Sequence, residues 1–183
     1  NVFPDPDFYR EQFVTYLLKM EPGGTVVWYS GDEELQKVMD EALPKRPDLK
    51  SIPYAEPEYE VEDGTLMLCL PDGRFPLGTV GGHNALNTVG ALALCTAWGI
   101  SRKDFLEAVK GFTGAAGRLE RKRDLKLQGG DCTIFRDFAH APSKVKATTA
   151  SIKQQFAGRK LIAVLELHTF SSLTKEFLLE YAH

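Results

Sequence analysis

The feature that most constrains this chain is a pair of glycines, Gly81 and Gly82, which ends an extended segment before a helix-forming run of small apolar residues. Three side chains that form hydrogen bonds stand at the start of this run, namely His83, Asn84 and Asn87. Their spacings of three and four residues place them on one helix face. Free backbone N–H groups at a helix start, together with an amide that pairs a donor with an acceptor, suit the edge of an adenine base. The alternative is that Asn84 is only a helix cap and His83 a loop residue.

The segments before this run predict an α/β layer. Apolar residues at helical spacing indicate a helix over residues 8–20, which Pro22 and two glycines end. The β-branched and aromatic run at residues 25–30 is typical of a buried parallel strand. An amphipathic helix follows over residues 33–43. A strand, a turn and a helix in this order are typical of an α/β fold.

Residues 44–76 have a different composition, with prolines that exclude long helices. Two Asp-Gly pairs, at Asp63 and Asp72, are turn sequences typical of β-hairpins. The sequence therefore predicts a small antiparallel appendage. Its acidic patch at residues 56–63 has irregular spacing, which favours a solvated face over a set of metal ligands.

Small, flexible residues at 113–117 indicate a linker, and we expect a domain boundary between residues 1–113 and 114–183. The part beyond the linker is predicted to alternate strands and helices. The predicted strands are at residues 125–128, 132–138 and 160–165, and the predicted helices at residues 142–156 and 174–181. This order is the beginning of a doubly wound sheet.

Composition and charge exclude several function classes. The chain has 183 residues and a net charge of −3 without a basic run, which argues against nucleic acid as a partner. No apolar run reaches the length of a membrane span, and no signal peptide is visible. Cys69, Cys95 and Cys132 are far apart and lie in apolar runs, so we expect buried thiols in a reducing cytoplasm, with neither disulfides nor a metal site.

Three residues beyond the linker are candidates for binding a nucleotide. Asp137 stands at the carboxyl end of a predicted strand, where α/β folds bind ligands, and its carboxylate suits the two hydroxyls of a ribose. His140 follows closely and offers a ring for stacking or hydrogen bonding. Arg118 has a guanidinium that forks onto phosphate oxygens. The alternatives are that Asp137 caps the next helix and that His140 and Arg118 are solvated surface residues.

Taken together, four segments resemble the Mur ligase family, the ATP-dependent amide-forming enzymes of peptidoglycan synthesis. These segments are residues 82–87 (GHNALN), 117–120 (GRLE), 137–142 (DFAHAP) and 165–170 (LELHTF). Their order and spacing resemble the family over nearly the whole chain. The implied fold is α/β, with residues 1–113 forming the latter part of the central ATPase domain. Residues 114–183 would form the first half of a Rossmann-like C-terminal domain, which binds the amine substrate.

The resemblance also implies roles for single residues. Asn84 and Asn87 would contact adenine, Asp137 the ribose and Arg118 the ATP phosphates, where its charge would assist catalysis. In the DFAHAP segment, His140 matches a family histidine of the nucleotide site, whereas Ala141 replaces a second one.

Two further residues of this chain, His168 and Ser172, would contact substrate by the same resemblance. The family's reaction phosphorylates a carboxylate with ATP, after which an amine displaces phosphate. No general base can be assigned from the sequence.

The resemblance further implies that parts of the enzyme lie outside this chain. The phosphate loop G-x-x-x-x-G-K-[ST], the ligands of Mg²⁺ and the N-terminal domain that binds the uridine nucleotide are not found in the sequence. The chain is therefore expected to be a fragment without ligase activity alone. The substrates would be UDP-N-acetylmuramate and an amine.

The identity of that amine depends on residues 168–173. Family members that add L-alanine carry two arginines in this segment, and both are absent here. The sequence around Pro142 is more similar to the recycling branch, which attaches L-alanyl-γ-D-glutamyl-meso-diaminopimelate. We therefore expect the tripeptide, with L-alanine as the alternative. A folate-type glutamate ligase and a nucleotide-binding module without catalytic activity are the other readings that the sequence leaves open.

Overall fold

The computed structural model describes Phe3, residues 5–167 and residues 178–182. Helices and strands both occur along the chain, as the sequence predicts for an α/β fold. The chain forms two compact units, one of residues 1–57 and 86–105 and one of residues 58–85 and 106–183. The domain boundary at residue 113 stays a prediction. Within the described part of the chain, the helices are too short or too polar to cross a membrane.

Five α-helices and seven β-strands make up the described residues. The helices are α1 Pro6–Leu18, α2 Glu33–Ala42, α3 Gly82–Ala97, α4 Arg102–Val109 and α5 Pro142–Gln155. The strands are β1 Thr25–Tyr29, β2 Lys50–Tyr54, β3 Glu58–Glu62, β4 Thr65–Leu70, β5 Gly73–Leu77, β6 Glu120–Leu127 and β7 Gly130–Arg136. Short 3₁₀ turns occupy Leu43–Lys45 and Glu180–Ala182.

The first unit contains the predicted parallel strand. β1 pairs with β2 in parallel, and the buried core formed with α1 and α2 includes Trp28, Val38 and Met39. The helix α2 begins where Asp32 caps it, because its Oδ1 accepts from the N–H groups of the second and third helical residues at 2.9 and 3.0 Å. The helix predicted at residues 33–43 is therefore confirmed. In contrast, α1 buries only Val14 and Leu17, so most of its predicted apolar face is exposed.

The end of α1 is fixed by Arg46 from the segment between α2 and β2. Its guanidinium donates hydrogen bonds of 2.9–3.2 Å to three carbonyl oxygens at that end, those of Leu17, Leu18 and Met20. The same guanidinium binds Asp48, and this contact holds the pKa of the Asp48 carboxyl well below its usual range. The last carbonyls of a helix have no partner within it, so this arginine ends α1 by satisfying them.

The second unit contains the predicted antiparallel appendage. β3, β4 and β5 form a three-stranded sheet, and the Asp63-Gly64 turn joins the first two strands. Both turn residues have a positive φ, of 49° and 76°, as such a hairpin turn requires. Leu66 and Leu68 on the central strand β4 are fully buried.

The same unit contains a hairpin of β6 and β7 followed by α5. Ile152 of α5 packs with Val80 and Leu119 in a buried cluster. β6 begins five residues earlier than predicted, and α5 confirms the predicted helix at residues 142–156. Of the helix predicted at residues 174–181, residues 174–177 lie outside the described residues, and residues 178–181 are helical.

The strand predicted at residues 160–165 is wrong. The structure has no regular element at residues 160–167, and Ile162 and Val164 are 77% and 95% exposed. An apolar β-branched run forms a strand only where a neighbouring strand satisfies its backbone groups. Among the described strands none pairs with this segment, so the doubly wound sheet predicted from it is not formed there.

We predict that Leu68→Ala lowers the free energy of unfolding by about 2–5 kcal/mol, because it leaves a cavity beneath the central strand of a small sheet. Urea denaturation of the chain measures the change. Leu127→Ala serves as a matched control, since Leu127 is 58% exposed on β6, and it should change stability by less than about 0.5 kcal/mol. Equal effects of the two substitutions would contradict the assignment of Leu68 to the core.

Candidate functional site

The carboxylate of Asp137 is the centre of the candidate site in the second unit. The residue follows the end of β7, and its Oδ1 accepts a hydrogen bond of 3.0 Å from the backbone N–H of Leu119. Its Oδ2 accepts one of 2.8 Å from the hydroxyl of Thr148 on α5. One side chain therefore joins the end of β7, the loop before β6 and the helix α5.

The loop that donates to Asp137 has an unusual backbone. Leu119 has a φ of +44°, which non-glycine residues rarely adopt, and Gly117 has a φ of +70°. The N–H of Gly117 donates to the Glu120 carboxylate at 2.8 Å. The Leu119 side chain is buried, and its N–H is held by Asp137, so packing and a hydrogen bond together offset the cost of this conformation.

Asp137 is ionised at neutral pH. Burial alone would raise the pKa of its carboxyl, but hydrogen bonds from Leu119 and Thr148 favour the charged form and bring the pKa below its ordinary value. An ionised carboxylate offers about four lone-pair positions. Hydrogen bonds from the backbone of Phe138 and Ala139 also lower this pKa, so a hydroxyl group of a ligand would share the carboxylate with protein donors.

Arg118, Phe138 and His140 lie next to one another beside this carboxylate. The guanidinium carbon of Arg118 is 5.3 Å from the centre of the Phe138 ring, within the range of a cation–π contact. The rings of Phe138 and His140 meet edge to face at 5.1 Å, and Nδ1 of His140 lies 2.9 Å from the Phe138 carbonyl oxygen. The hydroxyl of Tyr181 donates to the His140 carbonyl. Both Arg118 and Phe138 are exposed and accessible to a ligand.

The start of α3 belongs to the same unit as far as Ala85. Asn84 donates from Nδ2 to the Val80 carbonyl oxygen at 2.8 Å, so its amide fixes the turn that precedes the helix. A Cβ at Gly81 would lie 2.7 Å from the Ser151 hydroxyl, and one at Gly82 would lie 2.4 Å from the Tyr59 hydroxyl. Gly81 also has a φ of +89°. The paired glycines are therefore required by close packing and by the backbone of the turn.

The structure brings some of the predicted residues together. Arg118, Asp137 and His140 form one cluster in the second unit, and Asn84 lies in that unit. Asn87 is an exposed residue of α3 in the first unit. His168 and Ser172 lie outside the described residues. Each predicted contact with a ligand stays a prediction.

A cleft of about 1430 Å³ reaches the cluster at Asp137, whereas Arg118 and His140 do not line it. Asp137, Phe138 and Thr148 line one part of it, and residues 160–166 line another. Concave sites of this kind are where proteins bind small molecules. In the described part of the chain, no group of three or more histidine, cysteine, aspartate or glutamate side chains converges as metal ligands would.

Sequence reasoning missed Thr148 and Gln155. Thr148 holds the Asp137 carboxylate, and the buried Gln155 binds two backbone groups far away in the sequence. With Ile152 they stand at positions i, i+4 and i+7 of α5, which is one helix face. A polar residue at each end of an apolar helix face was the only signal that could have indicated them.

Comparison with known proteins gives the family. The chain is 30% identical over 177 residues to UDP-N-acetylmuramate–L-alanine ligase from Symbiobacterium thermophilum, covering 88% of the chain and 35% of that enzyme. It is 28% identical over 188 residues to the enzyme of the same name from Lactobacillus delbrueckii subsp. bulgaricus, covering 99% of the chain and 41% of that enzyme. The chain thus spans about two fifths or less of the length of these relatives. No protein-family model matches it.

Solved structures show the same fold. MurF from Acinetobacter baumannii matches 83% of the chain and 34% of its own length, with a TM-score of 0.63 and 20% identity. Folylpolyglutamate synthetase from Lactobacillus casei matches 84% of the chain and 41% of its own length, with a TM-score of 0.63 and 17% identity. Together with the sequence relatives, these matches confirm the resemblance inferred from the four segments. The chain belongs to the Mur ligase family.

We predict that His83 has a pKa below about 6.5 and that Asp137→Asn lowers it further. Partial desolvation of the ring lowers the pKa of His83, whereas the negative charge of Asp137 raises it. The chemical shift of the imidazole protons in an NMR titration measures both values. Asp131→Asn, on an exposed residue of β7, is the control and should leave the His83 pKa unchanged. A raised pKa in the Asp137→Asn variant would contradict the arrangement.

The lowered pKa of His83 determines how the stability of the protein depends on pH. Folding favours the neutral imidazole ring. The contribution of His83 to the free energy of unfolding is therefore complete above its pKa in the unfolded chain, about 6.5. It is lost as the pH falls through that value toward the lower pKa of the folded state.

Proposed function

We propose that this chain contributes nucleotide-binding residues to an ATP-dependent ligase of peptidoglycan synthesis, which joins UDP-N-acetylmuramate to an amine. The observation that carries the proposal is the cluster of Arg118, Asp137 and His140 at the end of β7, in a chain whose sequence relatives are named as such ligases. The activity belongs to the longer protein, since the chain matches only part of each relative.

The cluster fits a nucleotide chemically. Asp137 is ionised, the state in which a carboxylate accepts from the two hydroxyls of a ribose, and Arg118 presents an exposed guanidinium for phosphate oxygens. Asn84 and Asn87, on the first turns of α3, would bind adenine through their amides. His140 would complete the nucleotide site beside Phe138. In the longer protein, His168 and Ser172 would contact substrate.

ATP would supply the phosphoryl group that activates a substrate carboxylate, and Mg²⁺ would be held by residues outside this chain. Arg118 would place a fixed positive charge beside the phosphates, where negative charge develops during phosphoryl transfer. Asp137 would orient the nucleotide by binding its ribose. We place the reaction in the cytoplasm, where the three free thiols of the chain stay reduced.

Two amines are candidates. The sequence relatives named above favour L-alanine. The tripeptide L-alanyl-γ-D-glutamyl-meso-diaminopimelate is favoured by residues 168–173, which lack the two arginines that family members adding L-alanine carry. The similarity to these relatives is the stronger argument, because it extends over a long alignment, whereas the argument for the tripeptide depends on one short segment.

We predict that Arg118→Ala in the full-length protein lowers kcat by about 10²–10³-fold, as expected for removal of a charge that stabilises the transferring group. Phosphate release that depends on ATP, UDP-N-acetylmuramate and the amine measures the rate. Arg123→Ala is the matched control, because Arg123 is an exposed arginine on β6 away from the cluster. A module without catalytic activity would release no phosphate in any variant, and a folate-type ligase would not require the UDP-sugar.

We predict faster product formation with L-alanine than with the tripeptide. The measurement compares kcat/KM for the two amines at equal concentrations of ATP and UDP-N-acetylmuramate with the full-length protein. A higher kcat/KM for the tripeptide would assign the protein to the recycling branch instead.

A further inference from the structure

Gln155, the last residue of α5, makes two long-range hydrogen bonds that the proposed site does not explain. Its side chain is buried, with 8% exposed. Oε1 accepts from the backbone N–H of Gly81 at 3.3 Å, and Nε2 donates to the carbonyl oxygen of Gly64 at 2.8 Å. These partners are 74 and 91 residues away in the sequence. A single amide therefore joins α5, the β3–β4 turn and the turn before α3.

The partners fix the orientation of this amide. Gly64 offers only an acceptor here and Gly81 only a donor, so rotation of the amide by 180° would place like groups against each other. A buried backbone group that loses its partner costs more than the hydrogen bond itself stabilises. The amide is therefore matched to both turns, and a side chain of the same size without an amide would satisfy neither.

Gly81 leads directly to the candidate adenine contact. The Gly81 carbonyl oxygen accepts from the backbone N–H of Asn84 at 2.9 Å, and the Asn84 side chain binds the neighbouring Val80 carbonyl. A shift of Gly81 would thus move the first turn of α3. The same face of α5 holds Asp137 through Thr148, seven residues before Gln155. The helix α5 therefore holds both the carboxylate and the start of α3.

We propose that Gln155 is a positioning residue for the nucleotide, which sets the place of Asn84 relative to Asp137 through the Gly81 backbone. The inference rests on the proposed function, because it takes Asn84 and Asp137 as contacts of a purine nucleotide. Gln155 itself touches no ligand in this scheme.

The test uses the full-length protein with Gln155→Met, which keeps the length of the side chain and removes both hydrogen bonds. We expect KM and Kd for ATP to rise about tenfold, the equivalent of 1.4 kcal/mol, with kcat changed by less than about twofold. Gln154→Met is the matched control on the adjacent, exposed position of α5, and it should leave both constants unchanged. A residue that only stabilises the fold would lower the melting temperature and the active fraction without changing KM.

A second variant, Gln155→Glu, tests the polarity of the contact. Its neutral carboxyl can donate to Gly64 and accept from Gly81, whereas the ionised form is repelled by the Gly64 carbonyl. The ATP Kd of this variant, divided by that of the wild type, should therefore rise between about pH 5.5 and about pH 8. His83, close to Gly81 from α3, also titrates in this range, so the ratio is measured in proteins that both carry His83→Gln. A flat ratio would overturn the assignment of the two hydrogen bonds.

Hydrogen–deuterium exchange separates this inference from the proposed function. A peptide containing Gly81 should exchange faster in the Gln155→Met variant than in the wild type without any nucleotide present. If the wild type does not bind ATP, the proposed function fails and the positioning role fails with it, while the exchange still reports the contact. If ATP binds and Gln155→Met leaves KM unchanged in a folded protein, only the positioning role is overturned.

Discussion

The geometry of the candidate site depends on one ionised carboxylate that accepts hydrogen bonds from two other segments of the chain. Asp137 receives the N–H of Leu119 and the hydroxyl of Thr148, and these bonds hold the loop before β6 against α5. The hydrogen bond to Leu119 and the burial of its side chain together offset the cost of its positive φ. The position of Arg118 follows from this loop, since it is the preceding residue. Asp137, the candidate for binding ribose, therefore also positions Arg118, the candidate for binding phosphate.

This arrangement resolves an alternative that the sequence leaves open. A carboxylate at the end of a strand can cap the next element or bind a ligand. From the sequence alone, these two roles stand as alternatives. At Asp137 the two roles are compatible, because a carboxylate oxygen can accept a hydrogen bond from a ligand beside one from the protein. The hydrogen bonds that lower its pKa also keep it ionised, which is the state that hydroxyl groups of a sugar require. A structural role thus prepares the side chain for a binding role.

The sequence predicted those elements whose signals are local. Asp32 caps α2, Asp63-Gly64 turns the β3–β4 hairpin and Pro142 begins α5, each within a few residues of its effect. The strand at residues 160–165 was wrong because a strand depends on a partner that composition does not reveal. The residues of the candidate site were found through spacing and resemblance. Their supports, Thr148 and Gln155, bind groups 11 to 91 residues away, and a local pattern on α5 does not identify such distant partners.

The helix α5 explains how distant segments can be held to one geometry. Thr148, Ile152 and Gln155 lie on one of its faces and contact, in turn, the Asp137 carboxylate, the apolar side chains of Val80 and Leu119, and the Gly81 backbone. A helix is stiff over two turns, so the spacing between the first and last of these contacts is set by its fixed rise of 1.5 Å per residue. The apolar contact of Ile152 lies between these polar contacts and packs the same helix face against the unit. Precision at the candidate site therefore originates in a helix that contributes none of the proposed ligand contacts.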